Sequence, residues 1–482
     1  MAGQLVPRHL LPAVQEAAPL GSRSGSCGAC RSRVTVARQV VLIGELRYEA
    51  VDATSGPFGM TKFAEKRSSH EDELRETTKL GAAALDDLKV VEYAGMVSGP
   101  MCGKLFADMG AEVVKIEPPG LGDEARSHPP FPADLPHPEK SGLFLYLNTS
   151  KKSLTLDPAT ASGAEIFKRV VRAADILIEN HPPGYMESIG LGYAVLHALN
   201  PRLIVTSVTP FGQSGPYAGW KGSDLIEWAM SLTGYNTPTL VNDADVENPL
   251  RAPGRQADMM GATTAAAATM IALFHREATG LGQWVDVACW QAVVNTAKIE
   301  MIVYSYAGMP YSRLRANAKA GLEPSRCRDG YVYVLWVVDS HFEALKELLG
   351  HPAALETDLF KNTAQRAEYD DAVRPLIQQE LLKYDMDWLV REGQKIGLPI
   401  GPVLTVAQAA EHPHLRARSA FIEIDHPVAG QFRYPGPLVR LTATPPIARR
   451  APLLGEHNEE ILCGRLGCSR EELAELRAAG VI

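Results

Sequence analysis

The sequence predicts an α/β protein whose larger part is a mostly parallel sheet with helices on both faces, followed by a smaller α+β domain. Strand-like and helix-like segments alternate from residue 88 to residue 288, which is the pattern of a parallel sheet with crossover helices. The pattern changes after residue 324. The 482 residues are 46% hydrophobic and 22% charged, the balance of an ordinary globular protein.

The elements of the larger part are expected in a regular order. Pro100 suits the first turn of the first helix, because its missing N–H has no intrahelical partner there. Strands are expected at 88–93, 112–117, 175–179, 203–208 and 284–288, and helices at 105–109, 166–174, 224–232 and 258–277. Parallel strands joined through helices require right-handed crossovers.

The later part of the chain predicts shorter and more mixed elements. A strand is expected at 330–336, helices at 341–349, 366–382 and 387–396, a strand pair at 421–424 and 432–434, and an amphipathic helical segment at 450–482. We therefore expect a poorly ordered N-terminal extension at 1–85, a large domain at 86–310, a small α+β domain at 325–435, and a C-terminal segment at 436–482 that returns to the large domain.

Composition argues against several classes of protein. A net charge of −8 does not favour nucleic-acid binding, and no run of ~18 uninterrupted apolar residues predicts a membrane-spanning helix. Seven cysteines are too sparse for a disulfide scaffold, which indicates a cytoplasmic location. Residues 1–44 are rich in arginine and carry one acid, so a mitochondrial transit peptide is the alternative to an over-long N-terminus. Cys27 and Cys30 lack the further ligands of a zinc site, and no metal is expected.

Glycines mark the loop between the first predicted strand and the first predicted helix. Gly95, Gly99 and Gly103 would let a ligand approach the backbone, and a helix N-terminus favours a phosphate group. The spacing is GxxxGxxxG rather than the GxGxxG of dinucleotide folds. The residues alone therefore leave both a binding loop and a plain tight turn open.

Longer motifs resemble one protein family. Residues 95–100 and 106–117 are similar to the opening of the class III CoA-transferase family, the CaiB/BaiF group, which also contains formyl-CoA transferase and α-methylacyl-CoA racemase. Further segments match in order at 148–157, 174–180, 183–184, 190–192, 200–204, 211–216, 276–283, 401–403 and 451–457. The resemblance covers residues 86–482. It implies a Rossmann-like, CoA-binding large domain, a smaller α/β domain, and a homodimer of two interlocked chains.

Asp258 holds the position of the family's nucleophile. From the residues alone, an Asp before an Ala/Thr-rich helix is a favoured N-cap. The two roles are compatible, because a helix N-terminus keeps a carboxylate ionised. The resemblance implies a CoA-transferase that moves CoA from an acyl-CoA donor to a carboxylic acid acceptor through covalent intermediates on Asp258. CoA is then a substrate, no cofactor is permanently bound, and neither nucleic acid nor membrane is a partner.

Two alternative functions stay open. The family's racemases carry a His before an Asp where this chain has Ser223 and Asp224, and a serine hydroxyl titrates too high to replace that His. This difference argues against racemase activity, so an acyl-CoA isomerase or racemase that uses Asp258 as acid/base is the second hypothesis rather than the first. A non-catalytic CoA-binding protein is the third.

The resemblance also implies contacts to CoA. Met96, Val97 and Ser98 match the loop that lines the CoA site, Asn180 matches an Asn beside the thioester arm, and Lys221 matches a lysine of formyl-CoA transferase. Other polar groups are weaker candidates: Arg126 with Lys151 or Lys152 for the phosphates, Thr237, Arg251 and Arg255 for a carboxylate, and backbone amides of the 95–99 loop or around Gly261 for an oxyanion.

Overall fold

The computed structural model describes residues 83–239, 241–296, 298–310, 313 and 323–482. The predicted N-terminal extension at 1–85 lies almost wholly outside these residues. The transit-peptide alternative at 1–44 and the Cys27/Cys30 pair lie outside them as well.

A six-stranded sheet organises the first part of the described chain. Its elements are β1 (Lys89–Tyr93), α1 (Ser98–Asp108), β2 (Glu112–Glu117), α2 (Gly142–Leu147), β3 (Lys152–Thr155), α3 (Ala161–Arg172), β4 (Ile176–Glu179), α4 (Tyr185–Ser188), α5 (Tyr193–Leu199), β5 (Ile204–Thr209), α6 (Asp224–Ala229), α7 (Leu232–Tyr235), α8 (Gln256–Thr279), β6 (Trp284–Ala288), α9 (Cys289–Val294) and α10 (Lys298–Ala307). Every pair of neighbouring strands is parallel, and the strand order is β3-β2-β1-β4-β5-β6. This is the order of the Rossmann fold, so the α/β class with a mostly parallel sheet is confirmed.

Apolar side chains cover both faces of the sheet, which explains why its inner strands are buried along almost their whole length. One face packs on α3, α5 and the C-terminal segment, through Phe167, Leu196 and Leu473. The other face packs on α1 and α8, through Phe106 and Ala265. Helix α8 thus lies directly against the sheet, and its first residues reach the carboxyl ends of the strands.

The second part of the described chain carries two small antiparallel sheets. Its elements are β7 (Pro324–Arg326), β8 (Tyr331–Val334), α11 (Asp339–Leu348), α12 (Thr363–Glu368), α13 (Asp370–Leu381), α14 (Met386–Lys395), β9 (Ile400–Pro402), α15 (Val406–Glu411), α16 (Pro413–Ala417), β10 (Phe421–His426), β11 (Gly430–Pro435), a π-helical segment (Glu460–Arg465) and α17 (Arg470–Ala478). Strands β7, β8 and β9 form one sheet with its own core, and β10 pairs with β11 as expected. Ile424 and Tyr434 of this hairpin pack on Phe144, within the predicted large domain. The predicted domain boundaries stay a prediction.

Three predicted helices are divided in the structure. The 224–232 segment splits because Ser231 caps a new helix, its hydroxyl oxygen accepting a hydrogen bond from the Gly234 N–H. The 366–382 segment splits at Tyr369, which has non-helical backbone angles. The 450–482 segment is not one helix, since a capping box at Ser469 starts α17 after the π-helical segment.

Helix α8 is longer than expected, with 24 residues in place of the predicted 258–277. By length and composition alone it is apolar enough to cross a membrane, although it contains no run of ~18 uninterrupted apolar residues. The core helix of a globular domain passes the same test, and Thr269 of α8 makes a 2.7 Å hydrogen bond to Thr206 of β5. We therefore interpret α8 as a helix that packs on the sheet, and the absence of a membrane partner stays a prediction.

Candidate active site

A cavity of about 240 Å³ lies at the carboxyl ends of β4 and β5, beside the loop that follows β1. In Rossmann-type sheets ligands bind outside these strand ends, where the strand order reverses, here between β1 and β4. The lining residues are Met96, Val97, Ser98, Asn180, Val208, Pro210, Gly222, Ser223, Asp224, Glu227, Arg255, Asp258 and Cys289.

Most of the predicted site residues meet in this cavity. Asp258, Asn180 and the loop residues Met96, Val97 and Ser98 all line it. Lys221 does not, because it is exposed and the lining begins at the next residue, Gly222. The chain thus brings the predicted nucleophile and the predicted CoA loop together, and leaves the predicted lysine outside.

Asp258 lies in the first turn of α8 but does not cap that helix. The helix begins at Gln256, and its N-cap residue is Arg255, in the left-handed region with φ of 56°. The cap is supplied by Asp224 of α6, whose Oδ1 accepts hydrogen bonds from the N–H groups of Ala257 at 2.8 Å and Asp258 at 3.3 Å. The N-cap expectation for Asp258 is therefore wrong, and its carboxylate is left available to the cavity.

Burial dominates the electrostatics of Asp258. Burial first, and the negative charge of Asp224 second, raise the pKa of Asp258 to about 6. The guanidinium of Arg255, with Nη1 3.9 Å from Oδ2 of Asp258, lowers the pKa but does not outweigh these effects. The sequence suggested that the start of α8 would keep the pKa of Asp258 low, and this is not the case. The carboxylate is nevertheless mainly ionised at pH 7, because its pKa of about 6 lies below that pH.

Two further groups beside Asp258 were not identified from the sequence. Glu227 is 1% exposed, and burial, followed by the charges of Asp258 and Asp224, raises its pKa to about 8. Burial also raises the pKa of the Cys289 thiol well above its ordinary value. Glu227 follows Asp224 by three residues on α6, so helical spacing was a signal that could have identified it.

Glycine at position 261 allows α9 to begin against α8. A Cβ on Gly261 would lie 2.3 Å from the sulfur of Cys289. The sulfur and the carboxylate oxygens of Glu227 and Asp258 consequently lie within 4.8 Å of one another. Three such atoms can ligate a cation only after the thiol and the Glu227 carboxyl lose their protons, which their raised pKa values oppose.

The loop after β1 is held by side chains from neighbouring strand ends. Asn180 accepts a hydrogen bond from the Gly95 N–H at 3.0 Å and donates to the Gly95 carbonyl at 2.8 Å. The Met96 N–H donates to Oδ1 of Asp123 at 2.9 Å, and Asp123 is in turn paired with buried Lys115 at 2.7 Å. These contacts hold Met96 at a φ of 60°, which is unusual for a residue with a side chain. Asn180 thus positions the loop.

The structure reduces the set of backbone N–H groups that could stabilise an oxyanion. The N–H groups of Gly95 and Met96 are occupied by Asn180 and Asp123, and Gly261 lies in the second turn of α8, where N–H groups are used within the helix. Helix α1 begins at Ser98 without a side-chain cap. In its first turn Pro100 has no N–H and the Met101 N–H donates to the Val97 carbonyl, so the N–H groups of Ser98 and Gly99 are the ones without an intrahelical acceptor. The start of α1 is therefore the remaining candidate from the sequence.

Most of the cations predicted for phosphates are engaged elsewhere. Arg126 is buried and pairs with Glu117 and Glu139, both at 2.7 Å. Lys151 is buried against Glu92 at 2.7 Å. Lys152 is the first residue of the edge strand β3 and pairs with Glu112 at 2.9 Å. Arg126 and Lys151 are therefore structural ion-pair residues, and among the three carboxylate candidates only Arg255 lines the cavity.

Comparisons with known proteins identify the family to which the chain belongs. The model of CoA-transferase family III matches residues 85–458. The succinyl-CoA:D-citramalate CoA-transferase of Chloroflexus aurantiacus is 34% identical over 83% of this chain and 98% of its own length. The succinyl-CoA:mesaconate CoA-transferase of Haloarcula marismortui is 34% identical over 79% of this chain and 96% of its own. A crystal structure of a CaiB/BaiF family protein from Brucella suis, 30% identical, covers 80% of this chain and all of its own with a TM-score of 0.70.

The Rossmann-type order, the cavity at its strand ends and these matches define the class of the protein. The chain belongs to CoA-transferase family III. The resemblance inferred from the motifs is confirmed, as is the class of enzyme, and the named relatives use CoA thioesters as substrates.

Proposed function

We propose that this enzyme transfers CoA between two dicarboxylic acids through covalent intermediates on Asp258. The observation that carries this proposal is that the carboxylate of Asp258 lines the cavity, beside the loop of Met96 and Ser98. Because Asp224 caps α8, Asp258 is not needed for capping and is available as a nucleophile.

The reaction divides into four steps that balance without an added reactant. The Asp258 carboxylate attacks the thioester carbonyl of the donor, the C–S bond breaks, and CoA leaves as a thiolate while a mixed anhydride remains on Asp258. The thiolate then attacks the aspartyl carbonyl, and the donor acid leaves as a carboxylate. The acceptor carboxylate attacks the resulting aspartyl-CoA thioester and releases the thiolate once more. The thiolate finally attacks the acyl carbonyl of this second anhydride, so that the new acyl-CoA leaves and the Asp258 carboxylate is restored.

Arg255 supports the choice of dicarboxylic acids. The two named relatives act on succinyl-CoA with D-citramalate or mesaconate. In this chain Arg255 lines the cavity at 3.9 Å from Asp258 and is partly exposed. A guanidinium at this place can pair with the second carboxylate of a substrate whose first carboxylate reacts at Asp258.

An exposed apolar surface supports the homodimer. Several large apolar side chains on α8 and α10 are exposed to solvent, among them Ile271, Phe274, Ile299, Ile302 and Tyr306. A monomer rarely leaves several large apolar side chains of one helix exposed, and both of these helices do so. We propose that a second copy of the chain covers this surface, as the interlocked dimer of the resemblance implies.

Trapping with hydroxylamine tests the proposed mechanism. The enzyme is incubated with succinyl-CoA, or with each of a panel of other acyl-CoA thioesters, and then with hydroxylamine. We expect a hydroxamate on Asp258, detected by peptide mass spectrometry, and no adduct in Asp258→Ala, which should still bind CoA. An absent adduct together with deuterium exchange at the α-carbon would favour the isomerase, and absence of both would favour a binding protein.

A further inference from the structure

Glu227 is a buried acid that the steps above do not use. It lines the cavity of Asp258, and its Oε2 has no hydrogen-bond partner among the residues that the structure describes. Buried polar atoms almost always have a partner, because an unpaired one loses its hydration without compensation. Glu227 is therefore placed to meet a group that enters or forms in the cavity.

The charges around Glu227 favour its protonated form. Asp224 on the same helix and Asp258 on α8 both place negative charge near it, and Cys289 on α9 contributes a neutral thiol. Arg255 is the cation among the described lining residues, and it pairs with Asp258. Glu227 thus faces two carboxylates without an ion-pair partner of its own in the described part of the chain, which favours a bound proton.

We propose that protonated Glu227 donates a hydrogen bond to the acyl oxygen of Asp258 while the aspartyl intermediates form and break down. The two carboxylate oxygens lie within 4.8 Å of each other. A reorientation of about 2 Å brings them to the ~2.7 Å of an O–H···O hydrogen bond. This inference rests on the proposed function and adds a side-chain donor to it.

The proton of Glu227 stays on Glu227 through the cycle. When the thiolate of CoA attacks, a C–S bond forms at the aspartyl carbonyl carbon, and the π electron pair of the carbonyl moves to the acyl oxygen. Glu227 stabilises this oxyanion by its hydrogen bond. The oxyanion then re-forms the carbonyl as the C–O bond to the donor acid breaks, and the electron pair of that bond leaves with the donor carboxylate, so no proton is consumed or released. An ionised Glu227 would repel the same oxyanion.

The two acids consequently define a pH window. Asp258 must be ionised, which requires a pH above its raised pKa of about 6. Glu227 must be protonated, which requires a pH below its raised pKa of about 8. Because these pKa values are those of the free enzyme, we expect kcat/KM to rise through the first value and to fall through the second.

Two substitutions at one position test this donor. Glu227→Leu removes it, and we expect kcat to fall by about 100-fold. Glu227→Gln supplies an amide N–H that does not titrate, so we expect a smaller loss of kcat and no decline above pH 8. Rates are measured with the acyl-CoA of the panel that transfers fastest. Glu165→Gln, an exposed substitution of the same type on α3, is the matched control.

A second measurement does not depend on turnover. The infrared spectrum of the resting wild-type enzyme at pH 7, minus that of Glu227→Gln, should show the carbonyl stretch of a protonated carboxyl. The donor role would be refuted if Glu227→Leu and Glu227→Gln lost the same activity, if Glu227→Gln kept the alkaline decline, or if that band were absent. Formation of the Asp258 hydroxamate in the same samples separates these failures from a failure of the proposed function, which would show no hydroxamate in the wild type.

Discussion

Oδ1 of Asp224 accepts a hydrogen bond from the backbone N–H of Asp258, so one carboxylate caps the helix that presents the other. The same oxygen also accepts from the Ala257 N–H. Two acids at one helix start would ordinarily compete for its free N–H groups. Here the task is divided, because Asp224 comes from α6 and Asp258 remains available to the cavity.

This division predicts opposite effects of two alanine substitutions on stability. Asp224→Ala removes the cap and should lower the free energy of unfolding by about 1 kcal/mol. Asp258→Ala should raise it at pH 8, by up to about 3 kcal/mol. The pKa of Asp258 is raised on folding from 3.8 to about 6, so its favourable contribution is present below pH 4 and lost as the pH rises through 6.

Urea unfolding of both variants and the wild type at pH 4 and pH 8 measures these effects. The gain for Asp258→Ala should shrink towards pH 4, where Asp258 is protonated in the folded chain and about 40% protonated in the unfolded chain. A loss of stability for Asp258→Ala similar to that for Asp224→Ala would contradict the capping assignment, since the N-cap hypothesis from the sequence predicts that result.

The charge of Asp224 also affects the activity profile. Asp224→Asn keeps an oxygen acceptor for the helix but removes the negative charge that raises the pKa of Asp258. We expect the acid limb of kcat/KM to move to lower pH by roughly one unit. The exposed, distant Asp358→Asn is the control, and its profile should match the wild type. An acid limb that stays in place in Asp224→Asn would show that Asp224 does not set the pKa of the nucleophile.

Local sequence pattern was sufficient for much of the fold. The strands at 112–117 and 284–288 were predicted with their observed bounds, because each alternates or runs apolar residues over a full strand length. Strand β3 has four residues, KSLT, and becomes a strand through its pairing with β2, which no local pattern reveals. The breaks at Ser231 and Tyr369 were missed for a related reason, since apolar spacing continues across them.

The sequence identified individual residues of the site but not the contacts and charge interactions between them. Motifs identified Asp258, Asn180 and the loop from Met96 to Ser98, which the fold brings to one cavity. The role of Asn180 in holding the loop depends on contacts between residues 85 positions apart. The raised pKa of Glu227 likewise follows from burial and from charges of residues distant in sequence, which spacing alone does not express.

Arg255 should determine the preference for dicarboxylic acids. Arg255→Met removes the guanidinium that we assign to the second carboxylate, and the KM for succinate as acceptor should rise about tenfold. The KM for butyrate, which lacks that carboxylate, should change little. Since Arg255 also lowers the pKa of Asp258, the acid limb should move to higher pH.

Steady-state kinetics with both acids measures this preference, with the exposed Arg251→Met as the neighbouring control outside the cavity lining. An equal change in KM for succinate and butyrate would assign Arg255 to the site in general rather than to the second carboxylate.

The apolar surface of α8 and α10 predicts a dimer that one charge can weaken. Phe274 is 83% exposed, so Phe274→Asp should leave the fold of the subunit intact. If a second copy covers this surface, a buried and unpaired carboxylate there should weaken the dimer by at least about tenfold in Kd. Light scattering after size exclusion and analytical ultracentrifugation measure this directly. Val406→Asp, at a position 89% exposed in the second part of the chain, is the matched control and should remain dimeric. A wild-type monomer, or a Phe274→Asp variant that dimerises like the wild type, would assign this surface to something other than a second copy.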